Sequence, residues 1–277
     1  MRGRETSRRS ADIVREIGEL ALRGVREVTL LGQNVNSYGL TSPDEPDFAT
    51  LLRRVAEIPG IDRIRFTTSH PKDISPPLIA CFGEIPEICG HIHLPAQSGS
   101  DRVLARMNRG YNRAAYLEKI AALKEARPGI QFTGDFILGF PGETDEDFQD
   151  TLSLQREAGY ADLFMFKYSS RPGTGAAGFD DDVPEPVKQE RLTTLLERQR
   201  EMTRENNRRF VGSVQRILVE GVNRRRTQMY GRTDGNRIVN FVGSSGDIGS
   251  FRDVVITRAY QNSLLGEVRA AEPSDPA

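Results

Sequence analysis

Apolar and polar positions follow two different periods along the first two thirds of the chain. Five short apolar runs predict β-strands over residues 28–31, 64–68, 91–97, 132–140 and 163–168. Segments with helical spacing of apolar residues separate them, among them 48–58, 113–126 and 145–158, and Ser10 is predicted to cap a first helix that Gly24 ends. Repeated strand–helix units predict an α/β domain with a parallel sheet, open or closed as a barrel.

The last third of the chain has another pattern. A long helix rich in Arg, Glu and Gln is predicted over residues 184–210. Short alternating runs follow at 215–220, 229–232, 238–241, 251–256 and 265–268, separated by Gly, Asn and Asp. Such runs are typical of a small antiparallel β-barrel. We therefore predict an α/β domain over residues 1–210 and a β-barrel over 211–273.

Charge and cysteine content narrow the possible partners. The net charge is −1, but residues 191–232 carry eleven arginines and four glutamates, which permits nucleic-acid contact in this region. Two cysteines are too few for a disulfide framework. The sequence shows neither a long apolar run nor a signal-peptide pattern, so we expect a cytoplasmic protein with no membrane partner.

Polar residues follow each of the five predicted strands. Because the carboxyl ends of parallel strands meet at one edge, these segments predict a site for a polar ligand such as a nucleoside. Each of them alone is compatible with ordinary turn or helix-cap chemistry. The segments are Gly32–Asn36, Thr67–His70, Gln97–Ser100, Gly139–Glu143 and Ser169–Gly173.

These strand ends resemble those of the radical-SAM tRNA methylthiotransferases, and the resemblance extends over nearly the whole chain. The residues that carry it are RGRETSR at the start, LGQNVNSYG (31–39), IRFTTSHP (64–71), HLPAQSGSDRVLARMNRGY (93–111), DFILGFPGET (135–144), SSRPGTGAA (169–177) and GRTDGNRIVNF (231–241). The resemblance implies methylthiolation at C2 of N(6)-dimethylallyladenosine 37 in tRNA by a radical S-adenosylmethionine mechanism.

The resemblance also implies a fold and a set of site residues. The fold would be a six-stranded partial parallel βα barrel of the radical-SAM type, with five strands present and the first absent, followed by a TRAM β-barrel. S-adenosylmethionine would be bound by Gln33, Asn34, Asn36, Gln97, Ser98 and Gly139. RNA would be bound by Arg171, Arg224, Arg225 and Arg226, the last three on the backbone of the anticodon stem-loop. A flavodoxin or ferredoxin would donate electrons.

One departure from the family is chemical. Its members hold a 4Fe-4S cluster with three cysteines of a CxxxCxxC segment just before RGRETSR, and an N-terminal domain holds another cluster. Met1 stands where that segment should just have ended, so we expect a fragment or a misplaced start. Cys81 has apolar neighbours and Cys89 is far from the strand ends, so both are predicted to be structural. We predict no metal ligands and no cluster in this chain alone.

Two other interpretations remain open. The chain could hold tRNA without catalysis, as a cluster-less barrel joined to a TRAM domain. It could also be a metabolic βα-barrel enzyme, which requires an acid–base pair, for which only Glu143 and His70 are candidates. His91 and His93 alternate on one strand face and are predicted to have core or capping roles.

Overall fold

The computed structural model describes residues 6–180, 182–223 and 227–269. The chain divides into two compact units, Met1–Met202 and Thr203–Ala277. The division falls within the long helix, eight residues before the 210/211 boundary predicted from the sequence. That boundary stays a prediction.

The first unit is built on five parallel strands, as predicted. They are β1 (Glu27–Leu30), β2 (Arg63–Phe66), β3 (His91–His93), β4 (Gln131–Leu138) and β5 (Asp162–Lys167). β1 pairs with β2, and β4 pairs with both β3 and β5. Two backbone hydrogen bonds connect the pair to the triplet: Ile64 N donates to Glu87 O at 2.7 Å, and Cys89 N donates to Ile64 O at 3.0 Å.

Seven helices connect and cover these strands among the described residues. They are α1 (Ser10–Leu22), α2 (Phe48–Ala56), α3 (Pro76–Glu84), α4 (Asp101–Arg106), α5 (Arg113–Ala126), α6 (Asp145–Ala158) and α7 (Glu185–Arg208). Short 3-10 helices lie at Val35–Ser37, Pro71–Asp73, Gly175–Gly178 and Ser245–Asp247. None of the described helices has the length and apolar character needed to cross a membrane.

The start of α1 differs from the prediction. Arg9 is the N-cap residue and makes no side-chain capping bond, while Ser10 is the first helical residue. The Ser10 amide donates to the Glu45 carboxylate at 2.7 Å, and its hydroxyl accepts from Arg54 at 3.2 Å. Tertiary partners distant in sequence therefore take the groups that would otherwise have formed a local cap.

The sheet has a covered face and an open face. On β4 the residues Phe132, Phe136 and Leu138 are buried in the main core under the helices. The alternating positions point the other way, because successive strand residues face opposite sides. We use the name open face for the surface formed by His93, Thr133, Asp135, Ile137, Phe164 and Phe166.

The second unit is a closed five-stranded barrel. Its strands are β6 (Val214–Val222), β7 (Met229–Arg232), β8 (Ile238–Phe241), β9 (Phe251–Ala259) and β10 (Leu264–Val268), in the order β10-β8-β7-β6-β9. Its core includes Ile217, Val239, Phe241 and Val254. The predicted small antiparallel barrel is confirmed, with one parallel pairing, between β8 and β10, that closes it.

Candidate functional site

Hydrogen bonds hold the loops after β1 and β2 together at the carboxyl edge. Val35 N donates to Thr68 O at 3.2 Å. The Asn36 side chain accepts from His70 N at 2.8 Å and donates to His70 O at 3.0 Å. Thr68 has a φ of 65°, a left-handed conformation that is costly for a β-branched residue. The side-chain oxygen and nitrogen of Asn36 therefore both hold the loop after β2 against the loop after β1.

The ends of β3, β4 and β5 join the same edge. Gln97 N donates to Asp135 O at 2.8 Å, and Ile137 N donates to Gln97 O at 2.9 Å. Gln97 is buried and has a φ of 71°. The Tyr111 hydroxyl donates to Ala96 O at 2.9 Å, and its ring lies edge-on to His70 with centroids 5.6 Å apart. Where β4 and β5 end, Tyr168 N donates to Leu138 O at 2.8 Å. Since all five strands run parallel, their carboxyl ends lie along one edge, as predicted, and we call this edge the rim.

Two buried polar atoms at the rim lack a hydrogen-bond partner. They are Asn34 Oδ1 and Ser69 Oγ. Asn34 Nδ2 donates to Asp73 at 2.6 Å, which fixes the orientation of the amide, and Gln33 beside it is exposed. A buried polar group without a partner is costly unless a ligand supplies one. The rim therefore fits a polar ligand such as S-adenosylmethionine.

A cavity of about 700 Å³ adjoins this part of the rim. Its lining comes from α1, β1 and the loop after β1, and includes Ile13, Glu16, Gly32, Gln33 and Asn34. The volume lies within the usual range for small-molecule sites. Gln33 and Asn34 connect the cavity to the rim.

Gly139 and Glu143 belong to a support behind the rim. Gly139 N donates to Glu143 Oε1 at 2.9 Å, and a Cβ on Gly139 would lie 2.3 Å from Lys188 Cγ. Arg191 on α7 donates to the same Glu143 oxygen at 2.7 Å. Burial raises the pKa of Glu143, against the lowering effect of Gly139 and Arg191. Because the Glu143 carboxylate is held in an ion pair with Arg191, it has a positioning role. This weakens the interpretation of the chain as a metabolic enzyme that uses Glu143 as an acid or base.

Ser98 lies in a second supporting network. Its hydroxyl accepts from Ser100 N at 3.2 Å, and the Ser100 hydroxyl donates to Asp147 at 2.5 Å. Arg102 forms an ion pair with Asp147. Burial works to raise the pKa of Asp147, but hydrogen bonds from Arg102 and Ser100 outweigh it and lower the pKa to about 2. These contacts join α4 to α6 behind the rim.

The two cysteines do not fit a 4Fe-4S cluster. Cys81 is fully buried on α3, burial raises its pKa, and its Sγ donates to Ala49 O at 3.7 Å. Cys89 is 1% exposed. Across residues 6–180, 182–223 and 227–269, no three His, Cys, Asp or Glu side chains are grouped so that they could hold a metal ion. A protonated, buried thiol is a poor iron ligand.

Sequence reasoning missed a polar cluster on the open face. The Thr133 hydroxyl lies 3.0 Å from His93 Nδ1, and Asp135 Oδ1 lies 3.4 Å from His93 Nε2. The Phe164 ring lies edge-on to His93, with centroids 6.1 Å apart. Polar residues at alternate positions of β3 and β4 were the available signal. A further charged group, Glu27 with Arg65 at 3.0 Å, lies on β1 and β2.

The predicted RNA-binding residues are only partly described. Arg171 is exposed in the turn after β5, where its carbonyl oxygen accepts from Thr174 N at 3.3 Å. Arg224, Arg225 and Arg226 lie outside the described residues. Their roles, and those of the predicted cofactor ligands Gln33, Asn34, Asn36, Gln97, Ser98 and Gly139, stay predictions.

Comparisons with known proteins agree with this architecture. Residues 1–154 match the family model of the radical SAM superfamily, and residues 208–268 match that of the TRAM domain. A tRNA-2-methylthio-N(6)-dimethylallyladenosine synthase of Geobacter sulfurreducens is 65% identical over 268 residues, covering 97% of this chain and 60% of the relative. The chain thus spans about three fifths of the length of this relative.

Other relatives carry the same description. The synthases of Geotalea uraniireducens and of a Marinomonas strain are 62% and 51% identical, over 97% and 98% of this chain and 61% of each relative. Among solved structures, coproporphyrinogen III oxidase (HemN) from Escherichia coli, a radical SAM enzyme, is 18% identical with a TM-score of 0.49, covering 72% of this chain and 48% of that one.

Proposed function

Because this chain belongs to the radical SAM superfamily and carries a TRAM domain, we propose that it acts in the methylthiolation of C2 of N(6)-dimethylallyladenosine 37 in tRNA. The observation that carries this proposal is the 65% identity, over 97% of the chain, to the synthase of Geobacter sulfurreducens. The rim of polar strand ends supports it, because such a rim suits a nucleoside-containing cofactor.

The rim residues would bind S-adenosylmethionine. Asn34 Oδ1 and Ser69 Oγ, which are buried without partners, would gain hydrogen bonds from the ligand. Gln33, Gln97 and Ser98 would complete the polar lining, and Asn36 and Gly139 would hold the backbone in place. S-adenosylmethionine, when bound, supplies the adenosyl radical and the transferred methyl group in this reaction class.

The RNA partner would be the anticodon stem-loop. Arg171 after β5 and the arginines Arg224, Arg225 and Arg226 would contact its phosphates, since guanidinium groups pair bidentately with phosphate. Neutralising the three consecutive arginines would then weaken binding and flatten its salt dependence. A tRNA substrate would place the protein in the cytoplasm, and a flavodoxin or ferredoxin would supply electrons.

A chimera tests the proposed activity. This chain alone and a fusion that adds the remainder of the Geobacter sulfurreducens synthase are reconstituted anaerobically with iron and sulfide. We expect stoichiometric 4Fe-4S and 2-methylthio product in tRNA from the fusion alone, because Cys81 and Cys89 are buried. Stoichiometric cluster in the chain by itself would contradict the cluster prediction. A fusion that carries its clusters and binds tRNA but forms no product would contradict the activity.

The alternative is a module that holds tRNA without catalysis. The burial of both cysteines is the observation that favours it. It predicts that the chain binds tRNA with the same affinity whether or not S-adenosylmethionine is present. Coupling between the two ligands, measured by titrating tRNA at several S-adenosylmethionine concentrations, would favour the enzyme.

A further inference from the structure

Two phenylalanines on β5 expose their rings on the open face. Phe164 is 56% exposed and Phe166 is 53% exposed, whereas Leu163, on the covered face of β5, is buried. Residues two apart on a strand face the same side about 6.6 Å from each other. We call these two side chains the phenylalanine ledge. Exposed rings side by side are a surface on which flat ligands stack.

Hydrogen-bonding groups border the ledge. Asp135 is the register partner of Phe164 on β4, so the two side chains lie on the same face. Asp135 Oδ1 lies 3.4 Å from His93 Nε2, and the Thr133 hydroxyl lies 3.0 Å from His93 Nδ1. The side chains of Asp135 and His93 are 26% and 18% exposed, so a ligand on the ledge can reach them.

The ledge lies level with the rim residue Gln97, across β4 from it. Ile137, the register partner of Phe166, donates its amide to Gln97 O, and Asp135 O accepts from Gln97 N. Gln97 forms a bridge with Phe136, so it lies on the other side of β4 at a level between the two rings. A base on the ledge would sit next to a ligand held by the rim.

We propose that the phenylalanine ledge, with Asp135 and His93, is the subsite for the adenine base of the substrate nucleoside; this rests on the proposed function. The base would stack on Phe164 and Phe166, and the N6–H of the base would donate to Asp135. Proteins that recognise unpaired bases in RNA use this combination of stacking and hydrogen bonds to base edges. A purely apolar partner would cover Asp135 and His93 without satisfying them, which is unfavourable.

Nucleoside titration of the whole chain tests the subsite. N(6)-dimethylallyladenosine is titrated while saturation-transfer NMR reports binding, and an anticodon stem-loop RNA is titrated in parallel by fluorescence anisotropy. The variants are Phe164→Leu and Phe166→Leu, which keep the apolar volume and remove the ring. Phe179→Leu is the matched control, because Phe179 is an exposed phenylalanine that packs on Arg106 and Phe140.

Each ledge variant should weaken nucleoside binding by about 5- to 100-fold, the usual effect of removing one stacking ring. Stem-loop affinity should fall less, because phosphate contacts supply most of it. Phe179→Leu should stay within about twofold for both ligands. Asp135→Ala, which removes the acceptor, should abolish the preference for adenosine over purine riboside, which lacks only the exocyclic nitrogen. Circular dichroism melting of every variant confirms that the fold is kept.

The outcomes separate the subsite from the proposed function. The subsite is wrong, and the proposed function stands, if the stem-loop binds but the ledge variants bind the nucleoside as tightly as the unsubstituted chain does. The same conclusion follows if the stem-loop binds and none of the proteins binds the nucleoside. If the nucleoside binds in a ledge-dependent way and the stem-loop does not bind, the subsite stands and the proposed function is wrong. Loss of nucleoside binding in Phe179→Leu to the same extent would also overturn the subsite.

Discussion

Glu143 and Arg191 form the most deeply buried ion pair among the described residues. Their side chains are 1% and 6% exposed, and Arg191 Nη1 lies 2.7 Å from Glu143 Oε1. Glu143 Oε2 and Arg191 Nε are buried without a hydrogen-bond partner. Arg191 also pairs with the exposed Asp145 at 2.7 Å. Glu143 depends more strongly on the pair, because its charge is buried and Arg191 is the cation beside it.

Replacing Arg191 with methionine should destabilise the first unit by about 3–5 kcal/mol, because Glu143 would be left as a buried charge. Glu143→Gln combined with Arg191→Met should recover a large part of that loss. Urea unfolding measures both. The control is Arg209→Met, which removes an ion pair with Glu205 whose side chains are both 71% exposed, and should cost under about 1 kcal/mol. Equal effects for Arg191→Met and Arg209→Met would contradict the argument.

The place of a single residue could be predicted only where the apolar and polar pattern of its immediate neighbours determines it. Asn36 and Gln97 follow apolar runs, so their place at the rim could be read from the sequence. The burial of Glu143 could not, because it depends on Arg191, which is 48 residues away. The same holds for Asp135, whose contact with His93 follows from the register of β3 against β4.

At the scale of elements, Gly99 shows how closely α6 approaches the loop after β3. A Cβ on Gly99 would lie 2.3 Å from Asp150 O and 2.5 Å from Thr151 Cα, both backbone atoms of α6. Gly99 N also donates to the Thr151 hydroxyl at 3.0 Å. The loop that carries Gln97 and Ser98 is therefore positioned by contact with a helix.

Gly99→Ala should lower the free energy of unfolding by about 1–3 kcal/mol and weaken S-adenosylmethionine binding, because helix and loop must separate. Gly18→Ala is the matched control. Gly18 lies within α1 with no atom within 4 Å of its Cβ position, so alanine should stabilise the helix there by about 0.5–1 kcal/mol. Chemical denaturation and ligand titration of both variants give the comparison. A stable Gly99→Ala variant with normal binding would refute the close approach.

The ends of an element were predictable where nearby residues determine them. The ranges 113–126 and 145–158 match α5 and α6 residue for residue, since Asn112 and Thr144 cap them through their own side chains. The predicted strand 91–97 shrinks to His91–His93. Pro95 has no amide hydrogen to donate and Gln97 is left-handed, so neither continues the ladder in regular form.

At the scale of the whole molecule, each unit has its own apolar core. The first includes Phe82, Phe136 and Leu195, and the second includes Val239 and Phe241. α7 contributes Leu195 to the first core, and the chain just after it places Phe210 against the second. Since no buried residue belongs to both clusters, local substitutions should act on one unit at a time.

Phe241→Ala should therefore lower the melting temperature of the barrel and leave that of the first unit unchanged. Phe241 is fully buried, and truncating a buried phenylalanine costs about 3–5 kcal/mol, a large part of the stability of a domain this small. Phe82→Ala is the reciprocal variant, with the shift expected in the other transition. Differential scanning calorimetry measures both melting temperatures. S-adenosylmethionine should raise only the melting temperature of the first unit, because the rim belongs to that unit. A single transition that both substitutions move equally would mean that the two cores unfold as one.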